Sequence, residues 1–412
     1  MKILVVTPYP ACPGADGGGT VMFDLIRHLA ARHELVYLSF ARQQDMPRLA
    51  QVAPHCAEVI TVPFPGGTGV SVLAKGLNLA QRAIHNVLSC ATLTPVVVRK
   101  CRSRAMDAAI RRAIERHKPD VVHLCFPQMA HYIEACVGAP AVMDTLDVAL
   151  VGVFRRAMSA RHVWAKLYYL MQWLFWVRYE SRYFPRFGKV LTVTRQDAAA
   201  VTMVMPELDV YADAIAVDIE PWHASERDAG VRIGFLASFG HQPNADAALY
   251  FTESVLPLIR RRMPVAEFMV AGRNPPLPLL DAKDKGVTCL GFVEDVPAFY
   301  GSVDVVVAPI RYGGGIKIKV LEAMACGKPV VTTSVGAEGI AEDNEGAFLV
   351  ADDPAAFAEA VVALLSDKER RAALGEQARQ VIERRFSWQR LCDDLDEIYR
   401  AIIAAHHEEN HR

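Results

Sequence analysis

The stretch Gly313-Gly314-Gly315-Ile316-Lys317-Ile318-Lys319-Val320-Leu321-Glu322 has the residue types and spacing of an anion site. Three successive glycines let the backbone turn with positive φ and approach a ligand with no Cβ in the way. A helix opening directly after them aims its first N–H groups and the positive end of its dipole at whatever lies there, usually a phosphate. Lys317 and Lys319 stand at that same end, where a cation alone is unfavourable, so an anion held between them would account for both. Glu322, one turn further on, suits sugar hydroxyls as an acceptor. On these residues alone, a plain glycine turn with solvated lysines remains an alternative.

The elements that must hold such a site are legible on both sides of it. The apolar run Val303–Ala308 feeds the glycines as a buried strand, and Gly327-Lys328-Pro329 turns the chain into a second apolar strand at Val330–Thr333. The alternation continues along the whole chain, which argues for parallel sheets covered by helices. In the first half the expected strands are Ile3–Thr7, Leu35–Ser39, Val59–Val62, Val121–Leu124, Ala141–Asp144 and Val190–Thr194. The pattern then restarts at Arg232–Ala237 and runs through Glu267–Ala271, Val287–Leu290, Val303–Ala308, Val330–Thr333 and Phe348–Val350. Two Rossmann-like doubly wound domains facing each other across a cleft are therefore expected, with the boundary between Val210 and Gly230.

Length and composition agree. At 412 residues with 52% hydrophobic content, the chain exceeds one core and supplies enough apolar side chains for two. Nine scattered cysteines show no Cys-x-x-Cys pair, so neither a metal site nor a disulfide framework is indicated and a reducing cytoplasm fits best. The opening run Met1–Pro8 is too short for a signal peptide. The aromatic run Val163–Val177 contains Lys166 and falls short of the ~20 apolar residues of a membrane span. We read it as a helix packing on the first domain, with a membrane-surface helix as the other reading. The net charge of −1 conceals an asymmetry: residues 1–215 hold 24 Lys and Arg against 16 Asp and Glu, and residues 216–412 hold 21 against 30. A basic first half suits an anionic acceptor or an anionic membrane face, or is simply solvated.

Other candidates sit at strand ends. The loop Pro10–Thr20, with Gly17 and Gly18, opens onto a helix but lacks the Gly-x-Gly-x-x-Gly spacing of a dinucleotide site; a substrate-contacting loop or an ordinary turn is expected. Asp144 and Asp147 lie at or past the end of one strand, and Asp147 is the better candidate, Asp144 serving equally as a turn cap. His123 near another strand end faces the cleft or packs inside. In the second half Ser238 and His241 precede a helix that Asn244 suits as N-cap. Gly272 with Arg273 ends the next strand, Phe292 and Val293 offer an apolar seat for a flat base, and Ser334–Gly339 ends a fourth strand. These ends converge on a ligand of nucleotide size.

Taken together, Phe235–Phe239 with Pro243-Asn244, Val270–Arg273, Gly291–Val296, the triple glycine, Leu321–Val331 and Phe386–Trp388 resemble the C-terminal domain of the retaining GT-B glycosyltransferases of the family 4-like type, glycosyl transferases group 1. The resemblance implies a GT-B fold with an acceptor-binding domain over residues 1–215, a nucleotide-sugar-binding domain over 216–387 and a C-terminal helix, 388–412, crossing back onto the first domain. It implies Glu322 as ribose ligand, Lys317 and Lys319 as diphosphate ligands, and Gly313, Gly314, Gly315 and Ile316 as the backbone cradle. It also implies transfer of a sugar from a nucleotide-diphosphate donor to a glycan, lipid-linked or other glycoconjugate acceptor with retention, with no metal, cofactor or nucleic acid. One departure stands out: the family's second glutamate, eight positions before Glu322, is Gly314 here. That departure alone favours a different reading, a sugar-nucleotide-binding subunit that has lost activity. An epimerase on the same scaffold, or a phosphorylase, is a further alternative, and no pyridoxal-phosphate lysine context is present for the latter.

Overall fold

The computed structural model describes residues 1–12, 17–65, 84–160, 162–219, 231–341 and 346–410. Part of the Pro10–Thr20 loop and of the expected interdomain stretch, Ala224–Gly230, lie outside the described residues. The chain forms two compact units: Met1–Ile215 with Cys392–Arg412, and Ala216–Leu391.

The first unit is built on seven strands: β1 (Lys2–Thr7), β2 (Glu34–Ala41), β3 (Glu58–Pro63), β4 (Val121–Cys125), β5 (Ala141–Asp144), β6 (Lys189–Leu191) and β7 (Val210–Tyr211). They are hydrogen-bonded in the order β3-β2-β1-β4-β5-β6-β7, and every neighbouring pair is parallel. Continuous apolar runs such as Ile3–Val6, with almost no exposed surface, are what a sheet covered by helices on both faces requires. The order reverses between β1 and β4, so their carboxyl ends diverge and open the crevice where doubly wound sheets bind ligands. The second unit repeats the plan with β8 (Arg232–Leu236), β9 (Glu267–Ala271), β10 (Val287–Gly291), β11 (Val305–Ala308), β12 (Val330–Thr332) and β13 (Leu349–Val350), ordered β10-β9-β8-β11-β12-β13. Its switch point lies between β8 and β11. Both sheets are thus α/β and doubly wound.

Local differences from the sequence expectation have physical causes. The two-residue strand β7 is too short to carry a periodic signal. Strand β6 stops at Leu191 because Thr194 turns to cap the helix Arg195–Val204, its Oγ1 accepting from the Asp197 amide at 3.0 Å. The helix expected over Asn244–Arg262 runs as Gln242–Tyr250 and Leu256–Arg262 joined by a π-turn at Phe251–Val255. Pro257, with no N–H to continue the ladder, explains the break. Among the described residues no helix is long and apolar enough to cross a membrane.

The chain's return to the first unit is pinned by polar contacts along Cys392–Arg412. His33 Nε2 meets Asp396 at 2.6 Å, Arg32 meets Asp393 at 2.5 Å, and Tyr211 donates to Asp394. Deepest of all, Tyr399 Oη lies 2.7 Å from His123 Nδ1, and His123 Nε2 lies 3.3 Å from Asp144 Oδ2, with Tyr399 and His123 fully buried and Asp144 nearly so. The assignment that satisfies all three has Nε2–H donating to the carboxylate and Nδ1 accepting from the phenol. His123 therefore does not present a ring nitrogen to a substrate; both are used inside a clamp. Close packing supports the same contact, since a Cβ on Gly188 would come within 2.8 Å of Ile402 Cγ2. Removing the hydroxyl in Tyr399→Phe strands the buried His123 Nδ1, which costs about 1–3 kcal/mol. We expect a lower urea midpoint for the first unit with unchanged helix content by circular dichroism.

Candidate functional site

In the second unit the sequence-predicted residues gather at the carboxyl ends of β8, β9, β10 and β11. Strand β11 ends at Ala308, and the glycine loop follows with Gly313 at φ 120° and Gly315 at φ 71°, conformations that L side chains rarely adopt. The helix Ile318–Ala325 then begins with Lys317 as N-cap residue, and its first intrahelical bond runs from the Val320 amide to the Lys317 carbonyl at 2.8 Å. The amides of Ile318 and Lys319 precede that bond, as the sequence pattern requires of an anion-facing helix start.

Neutral oxygens help to hold both lysines in place. Lys317 is buried; its Nζ donates to the Gly315 and Gly314 carbonyls and lies 3.8 Å from Glu338 Oε2. Half-buried Lys319 donates to Asn244 Oδ1 at 3.1 Å. Burial first, then the nearby Lys317 charge, push the Lys319 ammonium down to about 8, against the opposing pull of Glu322. Two cations at the positive end of a helix are electrostatically frustrated, and a bound anion would relieve that frustration. Glu322 lies beside the buried Tyr300 phenol, which it engages by a hydrogen bond and which burial, with Glu322, holds well above its ordinary pKa. The Lys319 carbonyl lies 3.1 Å from the same Tyr300 Oη, so one O–H is shared between two acceptors on this turn of the helix.

Asn244 does not cap its helix. His241 is the N-cap residue there, and Asn244, nearly buried, instead spans two loops: its Nδ2 donates to the Ser238 carbonyl at 2.8 Å while its Oδ1 receives Lys319. The β8 loop is joined in turn to the β9 end, where the Phe239 amide donates to the Arg273 carbonyl at 3.0 Å. Gly272, at φ 137°, lets this happen, because a Cβ there would sit 1.7 Å from the Ala237 carbonyl oxygen. The Gly272 amide reaches the Gly291 carbonyl at 2.6 Å, and the Arg273 guanidinium lies over the exposed Phe292 ring at 4.2 Å. Behind the glycine loop Thr333 donates to the Ile310 carbonyl and Thr332 to the Ala308 carbonyl, fixing the exit of β11. Ser238 and His241 are exposed on the β8 loop, and Val293 is half-buried beyond β10.

These elements resemble those of a known family. Residues 230–367 match the family model described as Glycosyl transferases group 1. That segment is about a third of the chain, and it is there that the chain is similar to the group 1 glycosyl transferases. A D-inositol 3-phosphate glycosyltransferase from Salinispora tropica is 38% identical over 115 residues, 27% of this chain and 23% of that protein. The matched stretch thus spans about a quarter of the length of the curated relatives. Across nearly the whole chain the fold is that of the GT-B glycosyltransferases. Anabaena Alr3699/HepE, solved in complex with UDP, matches with TM-score 0.64 at 15% identity over 97% of this chain and 100% of that one. The sucrose-phosphate synthase of Thermosynechococcus elongatus matches with TM-score 0.69 at 14% identity over 98% of this chain and 100% of that one.

In the first unit, Gly17 and Gly18 open the helix Gly17–Ala30, and a Cβ on Gly18 would come within 2.4 Å of Tyr9 Oη and 3.0 Å of the Phe126 ring. Asp147 is exposed past β5, after Leu146 at φ 49°. Behind it Glu180 is fully buried, its carboxyl pushed up to about 8 by burial and by the Asp147 charge. Sequence reasoning singled out neither Glu180 nor Glu338. Glu338 carried a usable signal, an acid on a strand-end loop of the sheet whose glycine loop lacks one; Glu180, inside an aromatic helix, carried none. Gly272→Ala, which forces a Cβ into a carbonyl at a strained φ, should destabilise the second unit by about 2–4 kcal/mol. An unchanged denaturation midpoint would show that the β8 and β9 loops are not locked together here.

Proposed function

We propose that this protein is a retaining glycosyltransferase that moves a sugar from a nucleotide-diphosphate donor to a hydroxyl of a glycan, lipid-linked or other glycoconjugate acceptor. The observation that carries the reading is the pair Lys317 and Lys319 held at the start of Ile318–Ala325 behind a positive-φ glycine loop, with Glu322 one turn on. In this reading the lysines and the amides of the helix start hold the diphosphate, Glu322 takes the ribose hydroxyls, and Arg273 with Phe292 and Val293 borders the base. Ser238 and His241 stand beside the phosphates on the β8 loop. The first unit binds the acceptor, with Asp147 orienting a hydroxyl and Gly17 and Gly18 allowing close backbone approach.

Chemically, the bond from the anomeric carbon to the diphosphate oxygen breaks as the acceptor oxygen bonds the same face, and the acceptor proton passes to the leaving phosphate. Negative charge grows on the diphosphate in that step, so preorganised cations and N–H groups supply the largest stabilisation, without need of a metal. Glu338 lies 3.8 Å from Lys317, whose Nζ also donates to the carbonyl of Gly314, the residue that stands where the family resemblance leads us to expect a second glutamate. We assign Glu338 to aligning Lys317 and receiving a donor-sugar hydroxyl. The rival reading, an inactive nucleotide-sugar-binding subunit, draws on Gly314 alone. Turnover of any nucleotide sugar in a panel, with the product anomer read by NMR, decides between them.

Lys317→Ala should weaken binding of a nucleoside diphosphate by roughly 10–100-fold, the value of a charge-assisted contact, in isothermal titration calorimetry. Unchanged affinity and turnover would remove the diphosphate role. Affinity should also fall as pH rises above about 8, where Lys319 loses its proton, and Lys319→Arg should flatten that profile. The folding linkage has the opposite sign: with the folded pKa below the unfolded one, stability of the ligand-free unit rises with pH from about 8 towards 10.5. Glu338→Gln should lower turnover far more than it changes affinity for the bare nucleoside diphosphate.

A further inference from the structure

The helix Val163–Tyr183 is two-faced in a way its composition conceals. Phe175, Trp176, Tyr179 and Tyr183 pack into the first unit's core, whereas Trp164 is 80% exposed, Leu167 52% and Leu174 58%. Trp164, Leu167, Met171, Leu174 and Arg178 follow one another at helical spacing and so share one face. Two neighbouring helices extend the apolar surface. The helix over 84–92 lies alongside, joined by Tyr168 Oη donating to Asn86 at 3.1 Å and Gln172 donating to Ser89 at 3.2 Å, and it exposes Ile84 and Val87. The helix Ala149–Ser159 exposes Phe154, its ring tilted against Trp173 with centroids 5.4 Å apart, and Met158.

The charges around this surface are mostly positive, with Asp107 the acid that borders its concavity. The described residues 59–65, 84–106, 148–160 and 162–179 carry eight Lys and Arg and no Asp or Glu, in a chain that has 46 acidic residues. Exposed Lys166 and Arg178 flank the apolar stripe, and Arg156 stands between Phe154 and Met158. Past the exposed Val97, an open concavity of about 430 Å³ is lined by Arg99, Arg102, Ser103, Arg104 and Asp107.

We propose that this face of the first unit docks on an anionic lipid surface, with Trp164, Leu167 and Leu174 entering the headgroup boundary and the surrounding Lys and Arg meeting lipid phosphates. Large apolar side chains projecting from helix faces, rimmed by cations whose stems can lie along apolar surface, match the chemistry of that boundary. A second copy is a poor occupant, because two such faces would bring predominantly like charges together. The inference stands independently of the donor site, which lies in the other unit.

The test is flotation of the full chain with vesicles of phosphatidylcholine alone and of phosphatidylcholine with a third phosphatidylglycerol. We expect capture by the anionic vesicles only, and loss of capture at high salt. Trp164→Ser with Leu167→Ser, and separately Lys166→Glu with Arg178→Glu, should each reduce capture at least tenfold while melting temperature and nucleoside diphosphate binding stay unchanged. Wild-type tryptophan fluorescence should be quenched by brominated lipid, and much less so in Trp164→Phe. No capture by anionic vesicles would overturn the proposal, as would equal capture of both variants. Concentration-dependent dimerisation that the same variants abolish would reassign the face to a contact between copies, and stoichiometric binding of an acidic soluble protein without vesicle capture would reassign it to that partner. Loss of nucleotide binding by wild-type protein would count against the donor site and leave this surface untouched.

Discussion

Two ammonium groups at the positive end of an eight-residue helix are the constraint around which the second unit is arranged. Nothing in an isolated helix would place Lys317 and Lys319 there, so the surrounding chain must hold them. It does so mostly with neutral oxygens. The Gly314 and Gly315 carbonyls take Lys317, Asn244 takes Lys319, and Glu338 approaches only to 3.8 Å. The carbonyl and amide partners fix where the two ammonium groups stand, at the start of the helix.

That requirement propagates outward through the strand ends. Asn244 can receive Lys319 only because its other end is fixed on the Ser238 carbonyl, which sets the path of the β8 loop. The β8 loop in turn presses on Gly272, where only a residue without a Cβ fits against the Ala237 carbonyl. Thr332 and Thr333 hold the exit of β11 from behind. The switch point of the sheet is therefore a set of mutually dependent loops, each fixed by one or two buried polar contacts. The first unit uses the same sheet order differently: at the carboxyl ends of β4 and β5 the polar groups His123 and Asp144 are spent on Tyr399, and the exposed acid is Asp147.

Much of this was legible in the sequence. Strands of five or more buried β-branched and aliphatic residues announced themselves, and the glycine loop, the helix at Ile318 and the turn at Gly327 followed from residue type. The two-residue β7, the π-turn before Pro257 and the capping role of Thr194 did not, because each depends on a hydrogen bond whose partner is chosen by the local fold. Asn244 illustrates the limit well. Its position invited an N-cap, but a tertiary partner, Lys319, competed successfully for the same side chain. The aromatic helix illustrates another: apolar on nearly every side, its sequence could not tell its buried face from its exposed one.

The sequence by itself determined the two doubly wound sheets and the residue types of the glycine-lysine segment, because hydrophobic periodicity, glycine conformational freedom and lysine charge are properties of residues in order. Only the tertiary structure decided which polar groups are available. Whether His123 faces a ligand or a tyrosine, whether Glu338 stands near Gly314, and which side of Val163–Tyr183 meets solvent all depend on contacts between residues far apart in the chain. Burial and partner geometry are set by packing, and no local pattern encodes them.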